Sequence, residues 1–293
     1  MQFSKLSKLY SELEATSSGN ELRQILADFF LETSKTHPKE IPIITQLSLG
    51  KIAPDYQSAV LGIAEKVVLK AIAKAAGRSS KEANKFMQKL GDAGLVAELS
   101  LKNKAITLVP TGNLTTEELY TTLHKITNIQ GSGSQDHKEK LLICMLQKTK
   151  GAEAKYLVRI ILSNMRLGVA DMTVLDALAI CFTGDKANKK RLERAYNVCP
   201  DIAEIAGQLA EHGIDKIDDI PVKVGRPIRV MLAQRVANLN DMSQKIKSKI
   251  IQAEAKYDGE RVQVHKERNG KITLFSRRME NITDQFPDLV EYL

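Results

Sequence analysis

The sequence lacks tryptophan altogether, and aromatic residues make up only 5% of its 293 positions. A folded core must therefore be built mainly from Leu, Ile, Val and Ala. The supply is ample, because 43% of the residues are hydrophobic, and this argues against a disordered chain.

Cysteine is also scarce, and its arrangement excludes two classes of protein. The three cysteines, Cys144, Cys181 and Cys199, are odd in number and form no Cys-x-x-Cys pair. We therefore expect neither a zinc site nor a disulfide framework, but a reducing, cytoplasmic environment. No apolar run approaches the ~18 residues that span a membrane, and the first residues lack the apolar run of a signal peptide.

Positive charge is in excess, with a formal net charge of +8. Such a balance favours a polyanionic partner, nucleic acid first and an anionic membrane second. A lysine-rich soluble surface is an alternative that charge alone does not exclude.

Helical patterns dominate residues 1–250. Apolar residues recur at three- and four-residue spacing from the start of the chain, and Ser79 with Glu82 and Thr115 with Glu118 are typical of capping boxes. Residues 105–109 predict a short strand or an extended linker. Further helices are predicted at 57–76, 136–149, 152–166, 171–182, 186–197 and 201–212.

The pattern changes after residue 220. Pro221, Gly225 and Pro227 indicate an extended connector, followed by expected helices at 229–237 and 241–249. Alternation with a period of two then predicts strands, and Asn269-Gly270 predicts a hairpin with a type I′ turn. The predicted strands are 251–255, 261–265 and 272–275. We expect a mainly α protein, with an all-α domain at 1–220 followed at 221–293 by a linker and the first antiparallel strands of an α+β domain.

The segment Glu-Ala-Lys-Tyr-Asp-Gly-Glu-Arg (254–261) carries the most chemical information. In an extended strand Glu254, Lys256 and Asp258 share one face, and Arg261 lies just beyond an Asp-Gly turn. An uncharged lysine amine is a nucleophile that can attack phosphorus and carry a nucleotide covalently. The alternative is a surface strand with a ladder of ion pairs, which the four positions Lys-x-Asp-Gly alone would favour.

The wider context resembles a known family. Residues 254–266, followed by 274–283, resemble the first two nucleotidyltransferase motifs of ATP-dependent DNA ligases. The resemblance is strongest to the archaeal replicative type. Segments 131–138, 156–169 and 224–234 agree with that resemblance, which is weakest in the first hundred or so residues.

The resemblance implies a role for each residue of the candidate nucleotide site. Lys256 would be adenylylated by ATP, Glu254 would contact adenine, and Arg261 would contact the ribose and phosphate. Asp258 would order the phosphates or a metal-bound water, and Arg277 would serve the nucleotide or the DNA phosphate near the nick. The implied cofactors are ATP and Mg²⁺, with no metal ligand within this chain.

The resemblance also implies later motifs and a C-terminal OB-fold, which residues 284–293 cannot contain. We therefore expect an N-terminal, monomeric fragment with a truncated adenylation domain, which binds nicked double-stranded DNA without ligating it; a contact with a sliding clamp is left open. The alternatives are a DNA-binding module without catalysis and another lysyl-nucleotidyl transferase, such as an RNA-capping enzyme or an NAD-dependent ligase.

A Gly/Ser loop between two predicted helices is the main DNA-binding candidate. Its backbone N–H groups and the following helix N-terminus suit phosphate oxygens, although a flexible connector has the same composition. Arg159 and Arg166, predicted to lie on one helix face, would either satisfy buried carboxylates or reach phosphates. In the family that the sequence resembles, the Gly/Ser loop contacts the DNA backbone across the minor groove. The candidate DNA-binding residues are Gly131, Ser132, Gly133, Ser134, Gln135, Lys138, Arg159 and Arg166.

Overall fold

The computed structural model describes residues 1–102, 114–231, 233–248 and 250–293, and most of these up to residue 219 are helical. The expected mainly α fold is confirmed. The predicted strand or linker at 105–109 lies outside the described residues. In chain order the helices of this part are α1 (Phe3–Glu14), α2 (Gly19–Thr36), α3 (Ile41–Ser48), α4 (Glu65–Ala75), α5 (Ser80–Leu90), α6 (Ala93–Lys102), α7 (Thr116–Thr127), α8 (Ser134–Lys148), α9 (Ala152–Ile161), α10 (Asp171–Thr183), α11 (Lys189–Val198) and α12 (Ile202–His212). Short 3₁₀ helices lie at Pro38–Glu40, Asp55–Gln57, Lys186–Asn188 and Ile214–Asp219.

These helices pack in pairs around a continuous apolar core. The closest pairings are α2 with α10, α6 with α9, α3 with α12 and α4 with α8. The core runs from Phe3 to Ile217. At its centre the rings of Tyr10 and Tyr156 meet edge to face with centroids 5.3 Å apart.

Local signals predicted the helix starts well. The capping box at Ser79 is confirmed, with reciprocal hydrogen bonds to Glu82. The Thr115 hydroxyl accepts the Glu118 N–H at 3.1 Å, so α7 begins where the sequence predicts. No helix among the described residues is both long and apolar enough to cross a membrane.

Two predicted helices are shorter than expected because left-handed residues interrupt them. The helix predicted at 57–76 begins only at Glu65, since Ser58 (φ 49°) and Gly62 (φ 60°) turn the preceding chain away from a helical path. The helix predicted at 152–166 ends at Ile161, just before the left-handed Ser163 (φ 51°), and Arg166 also has a positive φ of 54°.

The connector and the segment after it also differ from expectation. The helix predicted at 229–237 does not form in the described residues, where the N–H of Arg229 bonds to the carbonyl of Asn197 at 2.8 Å. The next helix, α13, is Leu239–Lys245, and α14 is Pro287–Tyr292 after a 3₁₀ turn at Thr283–Gln285.

Between α13 and the 3₁₀ turn at Thr283–Gln285 lies a two-stranded antiparallel hairpin. It is formed by β1 (Gln263–Lys266) and β2 (Ile272–Phe275). Its predicted second strand is confirmed, and its first begins two residues later than expected. No strand forms at 251–255. The turn is not type I′, which needs positive φ at both central residues. Gly270 alone has positive φ here (87°), and its N–H bonds to the Glu267 carbonyl at 2.9 Å.

The hairpin has a small apolar centre of its own. Leu274, Phe275 and Ile282 are buried without joining the helical core. The proposed division near residue 220 stays a prediction.

Candidate active site and nucleic-acid interface

The lysine segment is exposed along its whole length. Glu254, Lys256 and Asp258 are all exposed, as is the ring of Tyr257 (87%). Glu254 accepts a hydrogen bond from Gln252 at 2.7 Å. Within the described part of the chain, no hydrogen bond or ion pair engages the Lys256 amine. The candidate nucleophile is thus accessible but not enclosed.

The two candidate arginines flank the hairpin. Arg261 is exposed just before β1. Arg277 is exposed at the tip of the turn after β2, where the N–H of Met279 bonds to the Ser276 carbonyl at 2.8 Å. The Ser276 hydroxyl also accepts the N–H of Glu280 at 3.2 Å, which fixes this turn. All five candidate residues, Glu254, Lys256, Asp258, Arg261 and Arg277, are exposed.

The connector binds the hairpin on one side. The side-chain amide of Gln263 bonds to both backbone groups of Ile228, at 3.0 and 2.6 Å. The N–H of Gly225 donates to Nδ1 of His265 at 2.9 Å. Burial lowers the pKa of His265, which favours the neutral imidazole that accepts this hydrogen bond.

The same connector binds the helical part on its other side. Arg226 is buried, and its Nη1 lies 2.9 and 2.8 Å from the two carboxylate oxygens of Glu204. The guanidinium of Arg229 stacks over Tyr196, 4.4 Å from the ring centroid. Sequence reasoning missed both roles. The available signal was the pair of arginines around Pro227 in a segment otherwise read only as a connector.

The Gly/Ser loop has the geometry expected of a helix N-terminus. Gly131 (φ 87°) and Gly133 (φ 78°) adopt left-handed conformations, and α8 starts at Ser134. Residues 131–133 are exposed. The side chain of Gln135, by contrast, points back and donates to the carbonyl of Gly62 at 3.2 Å.

Lys138 does not face solvent as a direct phosphate contact would require. It is only 7% exposed, and its Nζ donates to the Leu61 carbonyl at 2.7 Å. Its ammonium therefore holds the chain before α4 against α8. The role of Lys138 as a DNA contact stays a prediction, and the structure shows its ammonium already bonded to the protein backbone.

The sequence left two alternatives open for Arg159, and the structure shows the contacts of the first, in which the guanidinium pairs with carboxylates. Its guanidinium is 3.1 Å from both Asp92 and Glu14, and the residue is 4% exposed. Arg166 is 3.2 Å from Asp92 with half of its side chain (51%) exposed. The two arginines meet through a shared carboxylate and not through a helix face. Arg159 thus lies in a largely buried ion-pair cluster, and its role as a DNA contact stays a prediction.

Asp92, which sequence reasoning missed, organises this cluster. Its Oδ1 accepts the N–H of Leu95 at 3.0 Å, which caps α6. Burial by itself raises the pKa of Asp92, but this hydrogen bond and the guanidinium groups outweigh burial and hold the pKa below its ordinary value. The signal was Gly91-Asp92, a helix-ending glycine followed by a helix-capping aspartate.

The described residues contain no group of three or more His, Cys, Asp or Glu side chains placed to hold a metal ion. Glu254 and Asp258 are exposed on a single strand-like segment. The residues present thus do not fit a preformed Mg²⁺ site.

Comparison with known proteins agrees with these features. Residues 2–179 match the family model described as DNA ligase N terminus, and residues 230–293 match the model described as ATP dependent DNA ligase domain. Together the two matched ranges contain most of the helical core and the whole lysine segment.

Several curated relatives align along the entire chain. DNA ligase 2 of Korarchaeum cryptofilum is 41% identical over 293 residues, which cover 100% of this chain and 49% of that protein. A probable DNA ligase of Persephonella marina is 42% identical over the same coverage. DNA ligase 1 of Methanosarcina acetivorans is 42% identical, covering 99% of this chain and 48% of that protein.

The chain spans about half the length of the curated relatives it matches. The family models nevertheless cover most of its sequence, and the second includes the Lys-Tyr-Asp-Gly segment. The chain therefore belongs to the family of ATP-dependent DNA ligases.

Proposed function

We propose that the whole protein containing this chain seals nicks in duplex DNA through a lysyl-AMP intermediate on Lys256. The observation that carries this proposal is an unpaired, accessible lysine in the matched domain, directly before the hairpin. In the proposed reaction the Lys256 amine attacks the α-phosphorus of ATP, loses a proton and forms a P–N bond, releasing pyrophosphate. The 5′-phosphate of the nick then takes the AMP and frees the amine, and attack by the 3′-hydroxyl on that phosphate releases AMP.

The neighbouring residues have distinct proposed roles. Glu254 would contact the adenine, Arg261 the ribose and phosphate, and Arg277 the nucleotide or the DNA phosphate at the nick. Asp258 would order the phosphates, helped by the φ of 153° at Gly259, which other residues rarely adopt. Because the described residues offer no preformed metal site, no step is assigned to a metal ligand of this chain. Mg²⁺ is proposed only as the ion that accompanies the phosphates of ATP.

Without an enclosing pocket, the chain by itself should bind DNA but not seal it. A lysine amine becomes nucleophilic when burial or nearby cations favour its uncharged form. Lys256 is exposed among the described residues, so its burial would have to come from the rest of the protein. The adenylylated state is therefore proposed for the whole protein, with the lysine covered. A sliding-clamp contact, a monomeric state and a cytoplasmic location stay predictions.

The helical part is proposed to hold the duplex through its phosphates and without sequence preference. The exposed loop 131–133 and the half-exposed Arg166 support this role, because backbone N–H groups and a guanidinium both suit phosphate oxygens. Binding should therefore weaken steeply as salt rises. A titration of the chain with nicked duplex at several salt concentrations tests this, and equal affinity at low and high salt would contradict it.

A labelling experiment tests the covalent chemistry. The whole protein is incubated with ATP labelled at the α-phosphate, and the labelled peptide is identified. We expect acid-labile label on Lys256, as a P–N bond requires, and its loss in Lys256→Ala. Lys266→Ala, an exposed lysine on β1, is the matched control and should label normally. Label on another residue, or unchanged labelling of Lys256→Ala, would exclude the proposal, as an NAD requirement would exclude the ATP-dependent form.

A further inference from the structure

Two loops that are distant in sequence lie side by side on the helical part. One is 58–63, before α4, and the other is the Gly/Ser loop 131–133, directly before α8. Gln135 donates to the carbonyl of Gly62 at 3.2 Å, and Lys138 donates to the carbonyl of Leu61 at 2.7 Å. Both hydrogen bonds run from α8 to the backbone of the first loop, so α8 sets the distance between the two loops.

The Lys138 ammonium is an expensive group to bury, and its location therefore has a structural consequence. A buried charge needs strong hydrogen bonds, and the Leu61 carbonyl supplies one. Gly62 lies beside it with φ 60°, where an added Cβ would be 3.2 Å from that Nζ. The ammonium thus stabilises an irregular loop that the sequence alone would continue as helix.

The first loop borders an open groove of about 440 Å³, whose lining carries no carboxylate. Val60 stands at its edge with 70% of its surface exposed. The lining residues are Gln57, Ser58, Ala59, Val60, His124, Thr127, Asn128 and Gln130. A polar groove without acidic groups, edged by one apolar side chain and next to a helix N-terminus, fits the sugar–phosphate edge of a duplex.

We propose that loop 58–63 is a second DNA-contacting edge, paired with loop 131–133. Val60 makes apolar contact with sugars or the minor-groove floor. Lys138 and Gln135 are positioning residues, which hold the two edges at the spacing of the backbone without touching DNA themselves. This inference rests on the proposed function of binding duplex DNA.

Salt dependence distinguishes a positioning lysine from a phosphate-binding one. Each phosphate contact contributes about 0.9 to the slope of log K against log salt. We expect Lys138→Met to weaken binding of the chain to nicked duplex about tenfold while the slope stays unchanged. Lys140→Met removes an exposed charge from the same helix and calibrates the effect of one lost cation. A slope reduced by about 0.9 in Lys138→Met would show direct contact, and unchanged affinity would show no role; either result overturns the positioning role.

A surface variant avoids any question of folding. Val60→Asp places a negative charge at the proposed contact and should weaken DNA binding at least about fivefold. Leu239→Asp, at a 76% exposed position on α13, is the control and should leave binding unchanged. Equal binding by Val60→Asp and the wild type would overturn the proposed edge. Failure of the wild type to bind duplex at low salt would instead refute the proposed function itself.

Discussion

The charged residues around Asp92 and those around Lys256 differ in burial and in ion pairing. At the first, Arg159 lies between two carboxylates at 3.1 Å and is almost fully buried. At the second, the lysine and its neighbouring carboxylates are exposed, and the lysine has no ion-pair partner among the described residues. Charges that satisfy one another maintain the fold, whereas unpaired charges are available for a substrate.

The largest effect that tests this contrast should come from Arg159→Met. Among the described residues, removing the guanidinium takes from the buried Asp92 its only buried cation and takes from the exposed Glu14 one of its two cations. We expect a loss of about 3–5 kcal/mol in the free energy of unfolding, measured by urea denaturation. Lys256→Met removes the same charge from the exposed segment and should change stability by less than about 0.5 kcal/mol. Similar losses in the free energy of unfolding of the two variants would contradict the proposed difference between the two regions.

A steric test at the same centre should give a smaller effect. At Gly94 an added Cβ would approach Asp92 Oδ1 to 2.8 Å and the Lys155 carbonyl to 2.9 Å. Although alanine favours a helix by about 1 kcal/mol over glycine, we expect Gly94→Ala to destabilise the protein by about 1–3 kcal/mol, because α6 and α9 must separate.

Gly19→Ala is the matched control for that substitution. Its added Cβ would meet only the flexible end of Arg23, at 3.2 Å from Nη1. Thermal melts should show Gly19→Ala within about 0.5 kcal/mol of wild type. A stabilised Gly94→Ala would mean that the helices are not in close contact there.

Acid should weaken the Asp92 centre by a smaller, pH-dependent amount. The folded pKa of Asp92 lies below its ordinary value, so its stabilising contribution is present above about pH 4 and is lost as the pH falls through the lowered folded pKa. Glu14 behaves in the same sense: burial raises its pKa, but hydrogen bonds from Lys155 and Tyr156 and the charge of Arg159 outweigh burial.

Denaturation curves at stepped pH measure this effect. Asp92→Asn should be less stable than wild type at neutral pH but should lose less stability on acidification below about pH 4. An equally steep acid loss in the variant would show that Asp92 does not contribute to it.

Local patterns predicted the elements that local interactions decide. The capping box at Ser79, the hairpin strand at 272–275 and the Gly/Ser loop before α8 were all visible in the sequence. Helix 57–76 was wrong in its first part because Gly62 is left-handed and the carbonyl beside it is bonded by Lys138, a residue 77 positions from Leu61. No periodicity contains that information.

The candidate sites divide in the same way. The spacing of Glu254, Lys256 and Asp258 predicted that the three side chains share one face of a strand, but no strand forms at 251–255. The role of Arg159 depended on Asp92, 67 residues away. An arginine in a helical sequence pattern looks the same whether it forms a buried ion pair or contacts a phosphate, so the sequence does not distinguish the two roles.

The most direct test of the central claim is sealing by the whole protein carrying Lys256→Ala, with two DNA substrates. One is an ordinary 5′-phosphorylated nick with ATP, and the other is a nick whose 5′-phosphate already carries AMP. Because only the second bypasses transfer through the lysine, we expect sealing of the ordinary nick to be lost and sealing of the adenylylated nick to persist. Sealing of the ordinary nick at the wild-type rate would contradict the account.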